Sequence, residues 1–173
     1  MDHAFTISVP YLQTERLALR EYRLADFDAF ADHLANPESA AHLVLADRDT
    51  AWRVFSSHAG LWALHGAGWW ALELLETGEL VGNVGAFYRE NSAVMEVGWN
   101  TYRAFWGRGF ASEAAASVVD YALQVRREPR IQALITSGNH SSIRVAQRLG
   151  LIYEADTEIH GKVIGRFVRE RMP

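Results

Sequence analysis

Hydrophobic residues follow two periods along the chain. Apolar residues that alternate with polar ones, such as Leu17 and Leu19, predict a strand with one buried face, whereas apolar residues three or four positions apart predict a helix. The strand pattern occurs in residues 14–20, 69–75, 80–88, 93–99, 130–136, 151–159 and 162–170. The helical pattern occurs in residues 26–34, from Asp47 or Asp49 to about His65, in 106–124 after a glycine-rich start, and from Asn139 to Leu149.

The order of these segments predicts a mixed α/β fold. One strand precedes two helices, three closely spaced strands follow as an antiparallel meander, and a helix, a strand, a helix and two strands complete the chain. No internal repeat, linker-like stretch or block of like charges divides the sequence. We therefore expect residues 1–173 to form a single domain around one sheet.

The composition argues against several classes of protein. Hydrophobic residues make up 49% of the chain, enough for a folded core, and the absence of cysteine excludes disulfides, thiolate metal sites and a cysteine nucleophile. No apolar run approaches the roughly 20 residues of a membrane span, and the N-terminus does not resemble a signal peptide. The net charge of -4 disfavours a protein that coats nucleic acid. We expect a cytoplasmic protein that binds neither membranes nor nucleic acid.

A glycine-rich loop precedes the third predicted helix. It consists of Trp106, Gly107, Arg108, Gly109, Phe110 and Ala111. Glycines allow successive backbone N–H groups to converge, and a helix N-terminus adds a positive dipole end, so this loop suits a phosphate group. The residues alone give equal weight to a plain strand-to-helix turn. A dinucleotide-binding fingerprint fits poorly, because Ser112 occupies the position of its third glycine.

Three segments resemble the GNAT acyltransferase superfamily. Gly109 and Ala111 match the superfamily's pyrophosphate loop, although Trp106 stands where a Gln or Arg is usual. Residues 106–114 instead look like the branch that contains the ribosomal-protein N-terminal acetyltransferases. Thr14–Arg20 and Asn139–Leu151 are similar to two further signatures of that branch, in the expected order.

This resemblance implies an N-acetyltransferase that uses acetyl-coenzyme A. The acceptor would be an amine, either of a small molecule or of a protein N-terminus, and the resemblance does not choose between them or specify an oligomeric state. It assigns the loop residues 106–111 and Asn139 to the coenzyme. It also implies a mostly antiparallel sheet in which strands 93–99 and 130–136 splay apart to admit the pantetheine arm. The alternative function is a catalytically silent sensor domain that binds acyl-coenzyme A.

Two side chains are candidates for the proton transfers of such a reaction. Alternation places Glu96 on one strand face with Gly98, which would leave open space beside the carboxylate. Family members often hold a glutamate here that acts as a base through water; a carboxylate paired with an arginine is the equally weighted alternative. Ser142 matches a serine of the branch, which implies that its hydroxyl assists the departing thiolate. A local hydrogen bond at the helix start is the alternative for Ser142, and Asn139 is a helix cap, a coenzyme ligand or both.

Other aromatic and polar residues are assigned to the fold. Tyr153 follows the last helix and is a weaker candidate as proton donor. Core packing is the favoured interpretation of the four tryptophans that lie where this family builds its acceptor pocket, Trp52, Trp62, Trp69 and Trp70. His58 and His65 are expected at the surface, and no histidine pair has metal-ligand spacing, so we expect no metal. The sequence contains no Gly-x-Ser-x-Gly motif, so it does not support a serine hydrolase.

Overall fold

The structure, a computed structural model, describes strands and helices across residues 6–159 and 161–172. The strands are β1 (Leu12–Gln13), β2 (Leu17–Arg20), β3 (Gly68–Leu74), β4 (Leu80–Phe87), β5 (Met95–Thr101), β6 (Arg130–Thr136), β7 (Ile152–Ile159) and β8 (Lys162–Glu170). The α-helices are α1 (Phe27–Ala35), α2 (Arg48–His65), α3 (Phe110–Asp120) and α4 (His140–Arg148), and a π-helix, Tyr121–Val125, continues α3. The predicted α/β class is confirmed.

The strands form one sheet in the order β1-β2-β3-β4-β5-β6-β8-β7. Neighbouring strands are antiparallel except β5 and β6, which are parallel and pair only where Met95 lies beside Ile131 and Glu96 beside Gln132. Beyond Glu96 the two strands diverge, which leaves the edge of β5 from 97 to 101 without a partner strand on that side. The splayed central pair that the family resemblance implies is therefore present.

Helices cover both faces of the sheet. Trp69 and Trp70 are consecutive in β3, so their side chains point to opposite faces. Trp69 stacks on His58 of α2, with ring centroids 4.5 Å apart, whereas Trp70 meets Tyr121 at the end of α3 at 5.3 Å. The face of Trp69 is thus covered by α2, against which α1 packs, and the opposite face is covered by α3.

Helix α2 begins and ends where the sequence predicted. The Asp47 carboxylate accepts the backbone N–H of Thr50 at 2.8 Å, which caps α2 at its start. At the other end, Gly66 adopts a positive φ of 60° and its N–H donates to the carbonyl of Trp62. Strand β1 was not predicted, because two residues are too few to display a hydrophobic period.

Two sequence expectations about burial are wrong. Strand β2 is buried on both faces, because Arg20 is neutralised by Asp26 and Glu73, with N–O distances of 2.8 and 2.6 Å, and so can lie beneath helix α1. His58 is half-buried against Trp69 and not at the surface, and this burial lowers its pKa to about 3.

The assignment of tryptophans to the core is confirmed for three of four. Trp62, Trp69 and Trp70 are buried, whereas Trp52 is half exposed on α2. Within residues 6–159 and 161–172, no helix has the combination of length and apolar character that crossing a membrane requires.

Candidate active site

A cavity of about 780 Å³ lies where β5 ends and where α3 and α4 begin. Two groups of residues line it, in addition to Trp99, Asn100 and Thr101 of β5. The loop side comes from the segment before α3, from the first turn of α3, and from helix α4 with its cap: Phe105, Trp106, Gly107, Gly109, Phe110, Ala111, Ser112, Asn139, Ser141, Ser142, Arg144, Val145 and Arg148. The α1 side comes from α1 and the segment after it: His33, Glu38, Ser39, Ala41, His42 and Leu43.

The backbone of the glycine-rich loop leaves a series of N–H groups without acceptors in the described part of the chain. Gly107 and Gly109 have φ angles of 74° and 81°, a region that side chains other than glycine strain to occupy. Among the described residues, none of the backbone N–H groups from 107 to 112 donates to a backbone carbonyl. The loop therefore offers a series of free donors at the N-terminus of α3, which is the geometry that binds phosphate oxygens.

Contacts from the start of the chain hold this loop in place. The Glu113 carboxylate of α3 accepts from the Thr14 hydroxyl at 2.6 Å and from the backbone N–H and Nε of Arg16 at 2.9 and 2.7 Å. Nη1 of Arg16 then donates to the backbone carbonyl of Arg108 at 3.0 Å. Two of the segments that resemble the family, 14–20 and 106–114, thus meet in space, although the sequence indicated no role for Arg16 or Glu113.

The side chains of the loop point in different directions. Nε1 of the half-exposed Trp106 donates to the carbonyl of Thr101 at 2.8 Å, and Phe110 is buried. The Arg108 guanidinium lies 4.8 Å from the Phe110 ring centroid and is not part of the cavity lining. The loop therefore faces the cavity mainly with backbone, so a charge from Arg108 does not contribute to the lining.

At the start of α4, the predicted cap and the predicted hydroxyl lie side by side. Oδ1 of Asn139 accepts the backbone N–H of Ser142 at 3.1 Å and the Ser141 hydroxyl at 2.9 Å, so Asn139 is a helix cap as well as a cavity residue. The Ser142 hydroxyl makes no hydrogen bond among the described residues. It therefore remains free to bind a group that enters the cavity.

Glu96 lies apart from the cavity, in an ion pair with the half-exposed Arg89. Glu96 itself is 5% exposed, and its carboxylate accepts from Nε and Nη2 of Arg89, the latter at 2.9 Å. Burial raises the pKa of Glu96, and the Arg89 guanidinium opposes that shift. Asn100, on the same strand face, does line the cavity, but four residues of strand separate it from Glu96, a distance of about 13 Å.

The expected open space beside Glu96 is absent. A Cβ atom at Gly98 would lie 2.8 Å from the ring of Trp69, and one at Gly85 would lie 2.6 Å from the same ring. The two glycines therefore make room for a core tryptophan, and the prediction that Gly98 keeps space for substrate is wrong. The ring of Trp69 also stands between Glu96 and the cavity end of β5.

The α1 side of the cavity contains residues that sequence reasoning did not single out. His33 and Ser39 hydrogen bond to each other at 2.5 Å, Tyr102 stacks on His33, and Asn100 donates to Asn83 at 2.9 Å. These residues come from α1, the segment after it, β4 and β5, so no continuous motif could identify them. Within residues 6–159 and 161–172, no three histidine or acidic side chains are grouped as metal ligands.

Comparison with known proteins identifies relatives. A family model described as "Acetyltransferase (GNAT) domain" matches residues 16–152. The uncharacterised protein YkkB of Bacillus subtilis is 37% identical over 61% of this chain, a match that spans 63% of that relative. The uncharacterised N-acetyltransferase p20 of Bacillus licheniformis is 29% identical over 91% of this chain and 90% of the relative.

The fold has close structural counterparts. An acetyltransferase from Agrobacterium tumefaciens superposes with a TM-score of 0.86 at 30% identity, over 98% of this chain and 99% of the other. A ribosomal L7/L12 α-N-protein acetyltransferase in complex with coenzyme A superposes with a TM-score of 0.77 at 13% identity, over 93% of this chain and 98% of that one. At that identity the likeness concerns the fold alone, and it places the ribosomal-protein acetyltransferases among the structural neighbours.

Proposed function

Because the chain belongs to the GNAT acetyltransferase family, we propose that it transfers the acetyl group of acetyl-coenzyme A to a primary amine, either of a small molecule or of a protein N-terminus. The observation that carries this proposal is the continuity of one cavity, from the free N–H groups of the glycine-rich loop to the buried His33 and the more exposed polar residues of the α1 side. Such a cavity has room for a phosphate-bearing donor and a separate acceptor.

The loop side suits coenzyme A. The N–H groups of residues 107–112 would bind its pyrophosphate, and the unpaired edge of β5 from 97 to 101 would hydrogen bond to the amides of the pantetheine arm. The Arg144 and Arg148 side chains border the same side and would add positive charge near the phosphates. Bound in this way, the coenzyme supplies the reactive thioester, and the chain supplies its position.

Acetyl transfer makes two demands on protons. The amine nitrogen forms a bond to the carbonyl carbon while the carbon–sulfur bond breaks, so the ammonium must first lose a proton and the thiolate finally gains one. We assign the first transfer to Glu96, whose raised pKa makes its carboxylate a better proton acceptor than an ordinary glutamate. Glu96 lies about 13 Å of strand from the cavity residue Asn100, farther than one bridging water can span, so a chain of several water molecules that passes the Trp69 ring must carry the proton to it.

We assign Ser142 to the second proton transfer, in which the departing thiolate gains a proton. Its hydroxyl lines the cavity without a hydrogen-bond partner in the described chain, so it can donate to the sulfur as negative charge develops there. A serine hydroxyl does not ionise usefully at neutral pH, so its role is to hydrogen bond or relay a proton.

The test is release of free thiol from acetyl-coenzyme A in the presence of a panel of amines and of short peptides with free N-termini. We expect turnover on at least one amine and none without an acceptor. Binding of coenzyme A with no turnover on any acceptor would instead indicate the sensor domain. Our expectation of a cytoplasmic site of action remains a prediction from the sequence.

A further inference from the structure

The α1 side of the cavity holds an imidazole in a fixed orientation. His33 is 5% exposed, its Nδ1 lies 2.5 Å from the Ser39 hydroxyl oxygen, and its ring stacks on Tyr102 with centroids 4.6 Å apart. The hydroxyl contact fixes one edge of the ring, and the stacking fixes its plane. His33 is therefore a rigid part of the cavity wall.

The hydrogen bonds of Ser39 bear on which ring nitrogen of His33 carries the proton. The Ser39 oxygen accepts the backbone N–H of Arg103 at 3.3 Å, and that group can act only as a donor. Among the described residues, the hydroxyl has no acceptor other than Nδ1 of His33. We therefore assign the Ser39 proton to Nδ1, which places the proton of the neutral ring on Nε2.

That Nε2–H group has no partner. It is buried from solvent, and no atom of the described chain lies within hydrogen-bonding distance and geometry. An unsatisfied buried donor destabilises the fold, so such groups are rare away from places where a ligand binds. Because His33 forms part of the cavity wall, an oxygen atom of a bound ligand can satisfy this donor once the neighbouring atoms that cover Nε2 move aside.

We propose that Nε2–H of His33 donates a hydrogen bond to a carbonyl oxygen of the acceptor, so that the enzyme selects amines that also carry an amide or peptide carbonyl. This inference rests on the proposed acetyl transfer and specifies its acceptor. The carbonyl group adds no charge to this buried wall.

A carboxylate is a poorer match for the same position. Burial lowers the pKa of His33 to about 4, so the ring is neutral at neutral pH and cannot compensate a negative charge. Arg103, which borders this wall, already forms an ion pair with Glu38. A carboxylate bound here would therefore lose its water without gaining a positive partner.

Two substitutions of His33 test the contributions of the two ring nitrogens separately. Asparagine places its terminal group near the position of Nδ1, so His33→Asn can keep the contact with Ser39 but lacks a donor at Nε2. Glutamine reaches the position of Nε2, so His33→Gln can keep that donor. Both variants lose the stacking on Tyr102, which makes them a matched pair, and His65→Asn on the exposed end of α2 is the control.

The kinetic test uses alaninamide and sec-butylamine, which share the same branched amine and differ in that an ethyl group replaces the carboxamide in sec-butylamine. We expect His33→Asn to lower kcat/KM for alaninamide about tenfold or more and for sec-butylamine less than threefold, and His33→Gln to recover most of the loss. Each variant is compared with wild type on the same amine, so the different pKa values of the amines cancel. Equal losses on both amines, or no recovery in His33→Gln, would overturn the proposal.

A measurement without turnover tests His33 separately from the proposed function. In ¹⁵N spectra of the imidazoles, assigned through the signal that His33→Asn removes, we expect the proton on Nε2. With coenzyme A present, alaninamide should shift the Nε2 signal and sec-butylamine should not. A proton on Nδ1, or identical spectra with the two amines, would contradict the inference. If wild type acetylates neither amine, the proposed function fails for these acceptors, and the spectra still decide whether His33 binds the carbonyl.

Discussion

The loop side and the α1 side of the cavity are built in opposite ways. The loop side uses backbone N–H groups from one short segment, opened by the positive φ angles of Gly107 and Gly109. The α1 side uses side chains from separate segments, namely the buried His33 and the half-buried Ser39, and Tyr102 stacks behind His33. A backbone site binds a group common to all donors of one class, whereas a side-chain site can change with the acceptor. We therefore expect damage to the loop side to affect every substrate equally, and damage to the α1 side to depend on the amine.

The largest effect should come from Gly109→Val. At a φ of 81°, a β-branched residue is strained, and its Cβ atom would lie 3.5 Å from Nη2 of Arg16, so the valine would disturb both the loop backbone and the side chain that holds it. We expect the affinity for acetyl-coenzyme A, measured by calorimetry, to fall about a hundredfold or more. Because this loss concerns the donor, it should lower activity on every acceptor.

The control is Gly78→Val. Gly78 has a φ of 73° in the turn between β3 and β4, and a Cβ atom there meets nothing within 4 Å. Backbone strain should lower the free energy of unfolding of both variants by about 1–2 kcal/mol, whereas only Gly109→Val should lose the coenzyme. Equal coenzyme affinity in the two variants would mean that residues 106–111 are only a turn.

The contrast between the two sides also explains what the sequence could predict. The loop was recognisable because its glycines stand at fixed spacing within six residues, and the caps at Asp47 and Asn139 follow similarly local rules. The Trp69 ring over Gly98 and Gly85 was not recognisable, because it depends on the register between β3, β4 and β5. Such register is a property of the folded sheet, so a glycine that makes room for a ligand and one that makes room for the core look alike in sequence.

Glu96→Gln should have the next largest effect, and a characteristic dependence on pH. Burial raises the pKa of Glu96, so its basic form is populated only above that raised pKa, and the wild-type rate should increase as pH rises through it. The glutamine variant lacks this increase. We expect a loss in kcat/KM of about a hundredfold near pH 7, partly recovered near pH 9, where more of the acceptor is already free amine.

Loss of the ion pair with Arg89 is a competing reason for any defect in Glu96→Gln. Glu73→Gln controls for it, because Glu73 is also a strand carboxylate paired with an arginine, Arg20, at 2.6 Å. Glu73→Gln should keep the wild-type pH profile. Parallel pH profiles for Glu96→Gln and wild type, with reduced affinity for coenzyme A, would show that Glu96 holds the structure of the site and does not accept the proton.

Ser142→Ala should lower kcat by about tenfold to a hundredfold on every amine, without recovery at high pH. The reason is that its hydroxyl acts on the departing sulfur and not on the acceptor, so the protonation state of the amine is irrelevant to the loss. Ser141→Ala is the neighbouring control, since that hydroxyl is already bonded to Asn139, and we expect a loss below threefold. If Ser142→Ala lowered only the affinity for the coenzyme and left kcat unchanged, the hydroxyl would serve to bind the coenzyme and not to assist the departing sulfur.

The smallest expected effect concerns the support of the loop. Arg16 joins Glu113 to the carbonyl of Arg108, but its side chain is 44% exposed, so solvent weakens the ion pair and only the hydrogen bonds constrain the loop. We expect Arg16→Lys, which keeps the charge but not the forked geometry, to raise the KM for acetyl-coenzyme A about threefold with little change in kcat. Arg23→Lys alters an equally exposed arginine that pairs with Glu21 and should leave both constants unchanged. If Arg16→Lys changed the preference between alaninamide and sec-butylamine instead, the loop side would not be independent of the α1 side.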